Sequence, residues 1–269
     1  MTQYAPKVPA MFEEVRQLER LPYPIVAFCR KYPHGHLVER HRHDRAQLIY
    51  ALRGIMRVDT VDGIWVVPPM RALWMPPEVE HELRASSPVS LRTLFIKPKL
   101  RDSLPAECSV VEVTPLLREL ILRMIAITDE QGLENVRAHM IELILDEIRA
   151  VETLPLHVPM PSDSRALRIC KGLLQDPADT KTCSQWGASV GASSRTLERL
   201  FQKETGVSFG SWRRQARLLA ALGRLAEKTP VSTVAYDLGY ESASAFTAMF
   251  RRTLGRSPSE FFPQQTEAA

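Results

Sequence analysis

The stretch that decides the fold reads Gly191-Ala-Ser-Ser-Arg-Thr-Leu-Glu-Arg-Leu-Phe-Gln-Lys-Glu-Thr-Gly-Val-Ser208. A second copy follows it and reads Gly239-Tyr-Glu-Ser-Ala-Ser-Ala-Phe-Thr-Ala-Met-Phe-Arg-Arg-Thr-Leu-Gly-Arg-Ser257; from Ser193 onward the matching positions are 49 residues apart. Each copy has a Gly suited to end a short helix, a Ser suited to cap the next helix, and apolar residues at i, i+3 and i+4 spacing. The repeat predicts two helix-turn-helix units.

Charge is distributed unevenly along the chain, whose net charge is +4. Residues 163–269 carry 15 Lys plus Arg against 10 Asp plus Glu, whereas residues 1–162 carry 20 against 21. A basic surplus alone is common on solvated surfaces, and the repeat alone would also suit a pair of structural helical hairpins. Together they favour a surface that binds double-stranded DNA.

Length and composition exclude several classes of protein. A chain of 269 residues, 45% hydrophobic and 25% charged, predicts two globular domains and not a disordered or fibrous chain. No apolar run approaches 18 residues and the N-terminus lacks a secretory signal, so we expect a cytoplasmic protein without a membrane span. The widely spaced cysteines are expected to be buried thiols without chemistry: Cys29, Cys108, Cys170 and Cys183.

The first half of the chain changes its pattern twice. From about Ile25 to Ile96, short runs of β-branched and aromatic residues alternate with Gly, Pro and Asp turns, which predicts an all-β domain. Apolar residues then recur at helical spacing, and three prolines between Leu154 and Ser162 predict an extended connector. The predicted organisation is a sensor domain (1–113), a helical dimerisation segment (114–153), a proline-rich linker (154–162) and a DNA-binding domain (163–263).

The two repeated stretches resemble the tandem helix-turn-helix domain of the AraC/XylS transcription regulators. The resemblance covers about residues 163–263. It implies about seven helices, with a long helix near Phe209 to Lys228 joining two DNA-reading units. It also implies a sequence-specific transcription regulator that binds double-stranded DNA and responds to a small-molecule effector, with RNA polymerase as a further candidate partner.

The first domain resembles the cupin sensor domain of some members of that family. Gly35-x5-His41-Arg-His43-x3-Gln47-x6-Gly54 follows the first cupin motif, except that Gln47 stands where a metal-binding cupin has Glu. Pro76 to His81 is a remnant of the second motif, with Ala85 where Asn is usual and Met70 where Gly is usual. The expected fold class is therefore α+β: an N-terminal cupin β-barrel followed by an all-α tandem helix-turn-helix domain.

The second helix of each unit is expected to enter the major groove. Arg can pair with guanine and Glu can accept from cytosine, whereas the small residues of the second copy offer no bidentate contact, so that copy should specify less. An alternative for each Arg is a phosphate contact, and for Glu198 it is to hold Arg195 or Arg199 in place. The predicted base-reading residues are Ser194, Arg195, Glu198, Arg199, Ala243, Ser244, Thr247 and Ala248. The predicted phosphate-binding residues are Arg213, Arg214, Arg217, Arg251 and Arg252.

Strand parity places His41, His43 and Gln47 on one face, where His81 from a second strand could join them inside the barrel. Three neutral imidazoles can hold a divalent metal, but the Gln removes the anionic ligand, so a metal is conceivable and not favoured. The alternatives are a polar effector pocket or histidines bonded to backbone carbonyls. The protein is expected not to be an enzyme; the alternative is a metal-dependent cupin dioxygenase or isomerase that carries a DNA-binding domain.

Two predicted helices, 115–128 and 133–152, each have an apolar stripe too wide to be left in water. They are expected to form the contact of a homodimer, with Leu120 and Met124 pointing outward. The alternative is that both helices pack on the outside of the barrel and on each other.

Overall fold

The computed structural model describes residues 10–100, 104–127, 133–149, 153–154 and 156–262. The N-terminal residues 1–9, where no secretory signal is predicted, lie outside the described residues. Pro155 of the predicted linker and the predicted helix ends near 128 and 152 lie outside them as well. Within the described part, no helix is long and apolar enough to cross a membrane.

The first domain consists of a helix, α1 (Ala10–Glu19), followed by two antiparallel sheets. Its first nine strands are β1 (Ile25–Tyr32), β2 (Leu37–His41), β3 (Ala46–Arg53), β4 (Met56–Thr60), β5 (Gly63–Val67), β6 (Arg71–Met75), β7 (His81–Ala85), β8 (Val89–Ile96) and β9 (Ser109–Glu112). Two short strands complete the sheets, β10 (Thr153–Leu154) and β11 (His157–Pro159). One sheet has the order β1-β8-β3-β6-β9-β10 and the other β11-β5-β4-β7-β2. The predicted β-rich fold of the first domain is confirmed.

Two positions of the cupin motifs require a left-handed backbone. Gly54, in the turn between β3 and β4, has φ +81°, and a Cβ there would lie 2.2 Å from the carbonyl oxygen of Pro88. Only glycine fits such a turn. Met70 stands where Gly is usual and keeps φ +61° although it carries a side chain. Met70 therefore adopts the left-handed turn conformation at a small cost in backbone strain.

The outer face of the six-stranded sheet is covered by α2 (Pro115–Ala126) and α3 (Glu134–Arg149). Leu120 and Met124 are only 8% and 5% exposed because they pack into the same cluster as Leu48 and Tyr50 of β3. The prediction that these two residues point outward is wrong: the stripe on α2 covers the barrel. The exposed apolar residues on the helices are different ones, namely Leu116, Val136 and Leu143.

The predicted linker is extended, and it belongs to the sheets. β10 pairs with β9, and β11 pairs with β5 so that His157 lies opposite Trp65. The carbonyl oxygen of Pro159 accepts a 2.7 Å hydrogen bond from the buried Trp212 side chain in the C-terminal domain. Contacts with both the sheets and the C-terminal domain thus fix the position of this connecting segment.

The described part of the C-terminal domain has seven helices: α4 (Ser164–Gln175), α5 (Cys183–Ser189), α6 (Ser194–Thr205), α7 (Phe209–Ala226), α8 (Val231–Asp237), α9 (Ala243–Leu254) and α10 (Pro258–Phe261). The predicted caps form. Ser193 accepts from the Thr196 amide, Ser242 caps α9 in the same way, and the glycines after α6 and α9 adopt the left-handed conformation. Local sequence signals therefore determine where both reading helices begin and end.

The four cysteines are free thiols, as expected, but they are not uniformly buried. Cys170 is buried in the helical core, whereas Cys29 is exposed on β1. Cys108 and Cys183 are partly buried. The expectation of burial is wrong for Cys29 because its side chain lies on the solvent-facing side of β1.

Candidate DNA-reading surface and histidine pocket

The first reading helix, α6, has a sharp division between its two faces. Leu197, Leu200 and Phe201 are buried, as predicted. The residues predicted to read bases are all exposed on the opposite face: Ser194, Arg195, Glu198 and Arg199. The face of α6 that would meet the major groove is therefore polar and open, with two guanidinium groups one turn apart.

Glu198 has a further contact that competes with base reading. Its Oε2 accepts a 3.3 Å hydrogen bond from the backbone amide of Phe209, the first residue of α7. A carboxylate at a helix N-terminus is stabilised by the unsatisfied amides there. Glu198 thus joins α6 to the start of α7. Among the described contacts there is no ion pair between Glu198 and Arg195 or Arg199.

The second reading helix, α9, presents a smaller and less polar face. Ser244 and Ala248 are exposed, whereas Ala243 and Thr247 are half-buried. Phe246, Met249 and Phe250 fill the core beneath it, and Arg251 and Arg252 are exposed at its C-terminal end. The surface can touch a thymine methyl group or make single hydrogen bonds, and it offers no bidentate fork.

The arginines of α7 differ in how closely hydrogen bonds within the protein hold their guanidinium groups. Arg217 donates from Nε to Pro177 O at 2.7 Å and from Nη2 to Asp179 O at 3.1 Å, and burial lowers its pKa. Arg213 donates to Lys181 O at 2.8 Å. Both therefore tie α7 to the loop between α4 and α5, an arrangement that favours a structural role.

Arg214 is exposed and lies across a concave surface from α9. A cavity of about 540 Å³ between the two helices is lined by both Arg214 and Arg252, together with Gln215 and Thr253. The two guanidinium groups and the polar side chains of its lining match the donors that DNA phosphates receive from proteins. Of the predicted phosphate-binding residues, Arg214, Arg251 and Arg252 thus keep exposed side chains.

Inside the barrel the structure brings the predicted histidines together. One ligand atom from each of His41, His43 and His81 lies within 4.8 Å of the others. His41 ends β2 and lies opposite His81, the first residue of β7, while His43 follows in the loop. The parity argument for His43 is therefore wrong, since β2 ends before it, but the loop carries its ring back onto the cluster, 4.9 Å from the ring of Phe95.

Backbone carbonyls orient two of these rings. Nδ1 of His41 lies 2.7 Å from Glu39 O, and Nδ1 of His81 lies 2.8 Å from Val79 O. Because a carbonyl only accepts, each Nδ1 carries the proton and each Nε2 presents a lone pair. Burial lowers the pKa of His41 to about 4 and that of His81 to about 3, so both rings are neutral near pH 7.

Gln47 completes the set, here named the histidine pocket: His41, His43, Gln47 and His81. Gln47 lies opposite Phe95 in the β3–β8 register, with its side chain 5% exposed. Its Oε1 and the Nε2 of His81 are buried without a hydrogen-bond partner. Oε1 of Glu19, 3.2 Å from Nδ1 of His43, is a third buried oxygen or nitrogen atom without a hydrogen-bond partner. Buried polar atoms are nearly always satisfied, so these three atoms fit a pocket that binds a polar ligand or an ion.

Comparison with known proteins matches both domains. Residues 186–264 match a helix-turn-helix domain family and residues 24–148 match the AraC-like ligand binding domain. The HTH-type transcriptional regulator NimR of Escherichia coli strain K12 is 34% identical over 242 residues, which cover 90% of this chain and 88% of NimR. The arabinose operon regulatory protein of the same strain is 31% identical over 126 residues, 45% of this chain and 41% of that protein.

The chain belongs to the AraC family of transcription regulators. It is a DNA-binding transcription regulator with an AraC-like ligand-binding domain, and the relatives it matches are regulators. Among solved structures, one of ToxT from Vibrio cholerae covers 89% of this chain and 98% of that one, at 10% identity and a TM-score of 0.38.

Two residues of this AraC-family chain that sequence reasoning missed lie at the histidine pocket. Oε1 of Glu19, the last residue of α1, lies 3.2 Å from Nδ1 of His43. Arg45, 3% exposed, binds the backbone carbonyls that follow α1. Glu19 precedes both cupin motifs, so no motif spacing could have identified it.

Proposed function

We propose that this regulator reads two successive major grooves, with α6 as the more specific reader and α9 as the less specific one. The observation that carries the proposal is the repeated exposed helix face on either side of α7. At 1.5 Å per residue, the 18 residues of α7 span about 27 Å. Successive major grooves recur at about 34 Å, so each monomer should protect about two turns of DNA.

The difference in specificity between α6 and α9 follows from their side chains. Arg195 and Arg199 can each pair bidentately with guanine, which gives discrimination at individual base pairs. The small residues of α9 read methyl groups and shape, with Arg251 and Arg252 supporting the docking through phosphates. Glu198 contributes by fixing α6 against α7 and only secondarily as a base reader.

Sequencing of DNA fragments captured by the purified full chain tests this proposal. Wild-type protein should enrich a motif of two half-sites about 10 bp apart. Arg195→Ala should still bind DNA but lose the preference at one base pair, with a loss of about 1–3 kcal/mol on the motif. Arg251→Ala is the matched control and should weaken all sequences alike. If both variants lose affinity equally for motif and random DNA, Arg195 binds phosphate and the reading assignment fails.

We further propose a homodimer formed by the exposed side of the α2–α3 layer. Leu116, Val136 and Leu143 are 48%, 43% and 45% exposed on that layer, although the inner side is fully packed. Val136 and Leu143 are seven residues apart, so they share one face of α3. A self-complementary patch of this kind suits a twofold contact.

The histidine pocket is proposed as the effector site of the ligand-binding domain. Its three clustered imidazoles and the oxygen of Gln47 are ligand types that a divalent transition metal takes, and His41, His43 and His81 would hold it. A bound ion would supply a positive centre able to anchor an electron-rich group of the effector. We propose a sensing role and no catalysis for this site, in a protein that acts in the cytoplasm.

The link from barrel to DNA would run through β11. The His157 ring stacks on Trp65 of β5 at 3.9 Å, and two residues later Pro159 O accepts from Trp212 of α7. A shift of β5 would therefore pass through β11 to α7, the helix that joins the two reading helices. Coupling of this type needs one element that both sites bias, and β11 contacts both.

A further inference from the structure

We propose that Glu204 is a positioning residue for DNA reading: its carboxylate fixes the first reading helix, α6, to the segment that leaves the ligand-binding domain, so that a change in one is transmitted to the other. This segment, residues 157–163, is named the connecting segment below. The inference rests on the proposed role of α6 as the more specific reader. It deepens the proposed link through β11 by adding a direct connection to a reading helix.

The first argument is the set of donors that converge on Glu204, in the last turn of α6. One carboxylate oxygen, Oε2, accepts from the Ser162 amide at 2.8 Å, from the Asp163 amide at 2.9 Å and from the Ser162 hydroxyl at 3.2 Å. Hydrogen bonds to an ionised acceptor are shorter and stronger than those between neutral groups. The end of α6 is therefore attached to the backbone of the connecting segment.

The second argument is that the other end of the connecting segment is attached to the barrel. The Met160 amide donates to Asp62 O, in the turn between β4 and β5, at 3.0 Å. Immediately before the segment, the Val66 amide of β5 donates to Leu156 O at 3.0 Å. From the Met160 amide to the Ser162 amide the chain advances by two residues, at most about 7 Å. The β4–β5 turn and the end of α6 therefore cannot move far apart without breaking one of these hydrogen bonds.

The third argument is the stiffness of the connecting segment. Met160 lies between Pro159 and Pro161. Each proline ring fixes its own φ and restricts the preceding residue to extended conformations. The carbonyl oxygen of Pro159 is held in addition by the 2.7 Å hydrogen bond from Trp212. Such a segment transmits a displacement of the barrel turn, because few backbone rotations are left to absorb it.

The internal repeat provides a comparison within the chain. Glu204 and Thr253 are 49 residues apart and occupy equivalent positions on α6 and α9. The Thr253 hydroxyl donates to Met249 O of its own helix at 3.0 Å. Among the described hydrogen bonds, none joins α9 to the connecting segment, whereas Glu204 joins α6 to it. The barrel should therefore act directly on the more specific reading helix and not on the less specific one.

Amide hydrogen exchange of the full chain, with and without a duplex that carries the captured motif, tests the inference. Because coupling between two sites is reciprocal, DNA bound at α6 has to affect the barrel end of the connecting segment if the barrel affects α6. The amides that report on this end are those of Met160 and Val66. In wild type the duplex should slow their exchange about 5-fold or more, from the lower end of typical couplings upward.

Three variants separate Glu204 from the rest of the interface. Glu204→Thr, which places the residue of the second repeat on α6, should abolish the slowing at Met160 and Val66. Glu204→Gln keeps an oxygen that can accept from the same amides and should retain the slowing. Thr253→Ala, at the equivalent position of α9, is the matched control and should behave as wild type does.

A purely structural role, in which Glu204 only holds the start of α4, predicts a different result. Glu204→Thr would then lower the urea unfolding midpoint while the duplex still slowed the Met160 and Val66 amides, and that outcome overturns the inference. Absence of slowing in wild type also overturns it, and this measurement does not depend on any variant being folded. If wild type selects no motif in the DNA-capture experiment, the reading assignment of α6 fails and the inference fails with it. A selected motif with unchanged exchange refutes the inference alone.

Discussion

Replacement of Arg217 by Ala separates a structural arginine from a phosphate-binding one. The sequence predicts a phosphate contact for this residue, on the helix that joins the reading heads. In the structure its guanidinium lies in a loop–helix junction, with hydrogen bonds of 2.7 Å to Pro177 O and 3.1 Å to Asp179 O. The same group lies 5.7 Å from the centre of the Tyr240 ring. Truncation to Ala removes all three interactions and leaves two carbonyl acceptors.

The magnitude follows from those contacts. A hydrogen bond from a charged donor contributes about 1.5–3 kcal/mol, and a partly exposed cation–π contact about 0.5–1 kcal/mol. The loop that holds Pro177 and Asp179 is only partly buried, so water can replace the lost donor at both carbonyls. Burial of the guanidinium, which lowers the pKa of Arg217, offsets part of the gain. The expected loss in the free energy of unfolding is therefore about 2 kcal/mol.

Urea unfolding and DNA binding at several salt concentrations form the assay, with Arg214→Ala as the control from the same helix. Arg214 is exposed and its described hydrogen bond is to Ser211 Oγ, so its loss should change stability by less than about 0.5 kcal/mol. It should weaken binding to all DNA sequences and lower the salt slope by about one. If Arg217→Ala instead keeps its stability and shows the same DNA defect as Arg214→Ala, the structural assignment is refuted.

Two further predictions concern the barrel and its helices. Leu143→Asp should give a folded monomer in sedimentation experiments, because the Leu143 side chain is exposed. Leu120→Asp should unfold the domain instead, because Leu120 packs on the barrel. A folded, dimeric Leu143→Asp protein would place the interface elsewhere. Burial lowers the pKa of His157 to about 4, so the unfolded state binds more protons between pH 4 and about 6.5, and stability falls as pH falls through that window. His157→Phe should remove about 2–3 kcal/mol of that fall in urea unfolding at pH 7 and pH 4.5; an unchanged pH dependence would assign it to other groups.

The features that sequence reasoning predicted well are local ones. The caps of α6 and α9 depend on a Ser and the amide three residues later, and the buried stripe of each helix depends on spacing alone. The cover of the α2 stripe and the role of Arg217 depend instead on partners distant in sequence. The stripe of Leu120 and Met124 shows only that something covers it, and both a second subunit and the barrel satisfy that requirement. Arg217 carries the same charge whether it meets a phosphate or the carbonyls of a loop 40 residues earlier.

The histidine pocket shows how much a departure from a motif leaves open. Judged by its motif alone, Gln47 lowers the expectation of metal binding, because one carboxylate is missing from a fixed position. The physical requirement for an ion is a set of oriented lone pairs and a compensating charge, and neither has to come from that position. Here the fold orients two of the rings through Glu39 O and Val79 O, and the carboxylate of Glu19, which lies outside both motifs, is 3.2 Å from Nδ1 of the third ring. A substituted ligand is therefore evidence against an ion only after the surroundings of the remaining ligands have been searched for the charge that it removed.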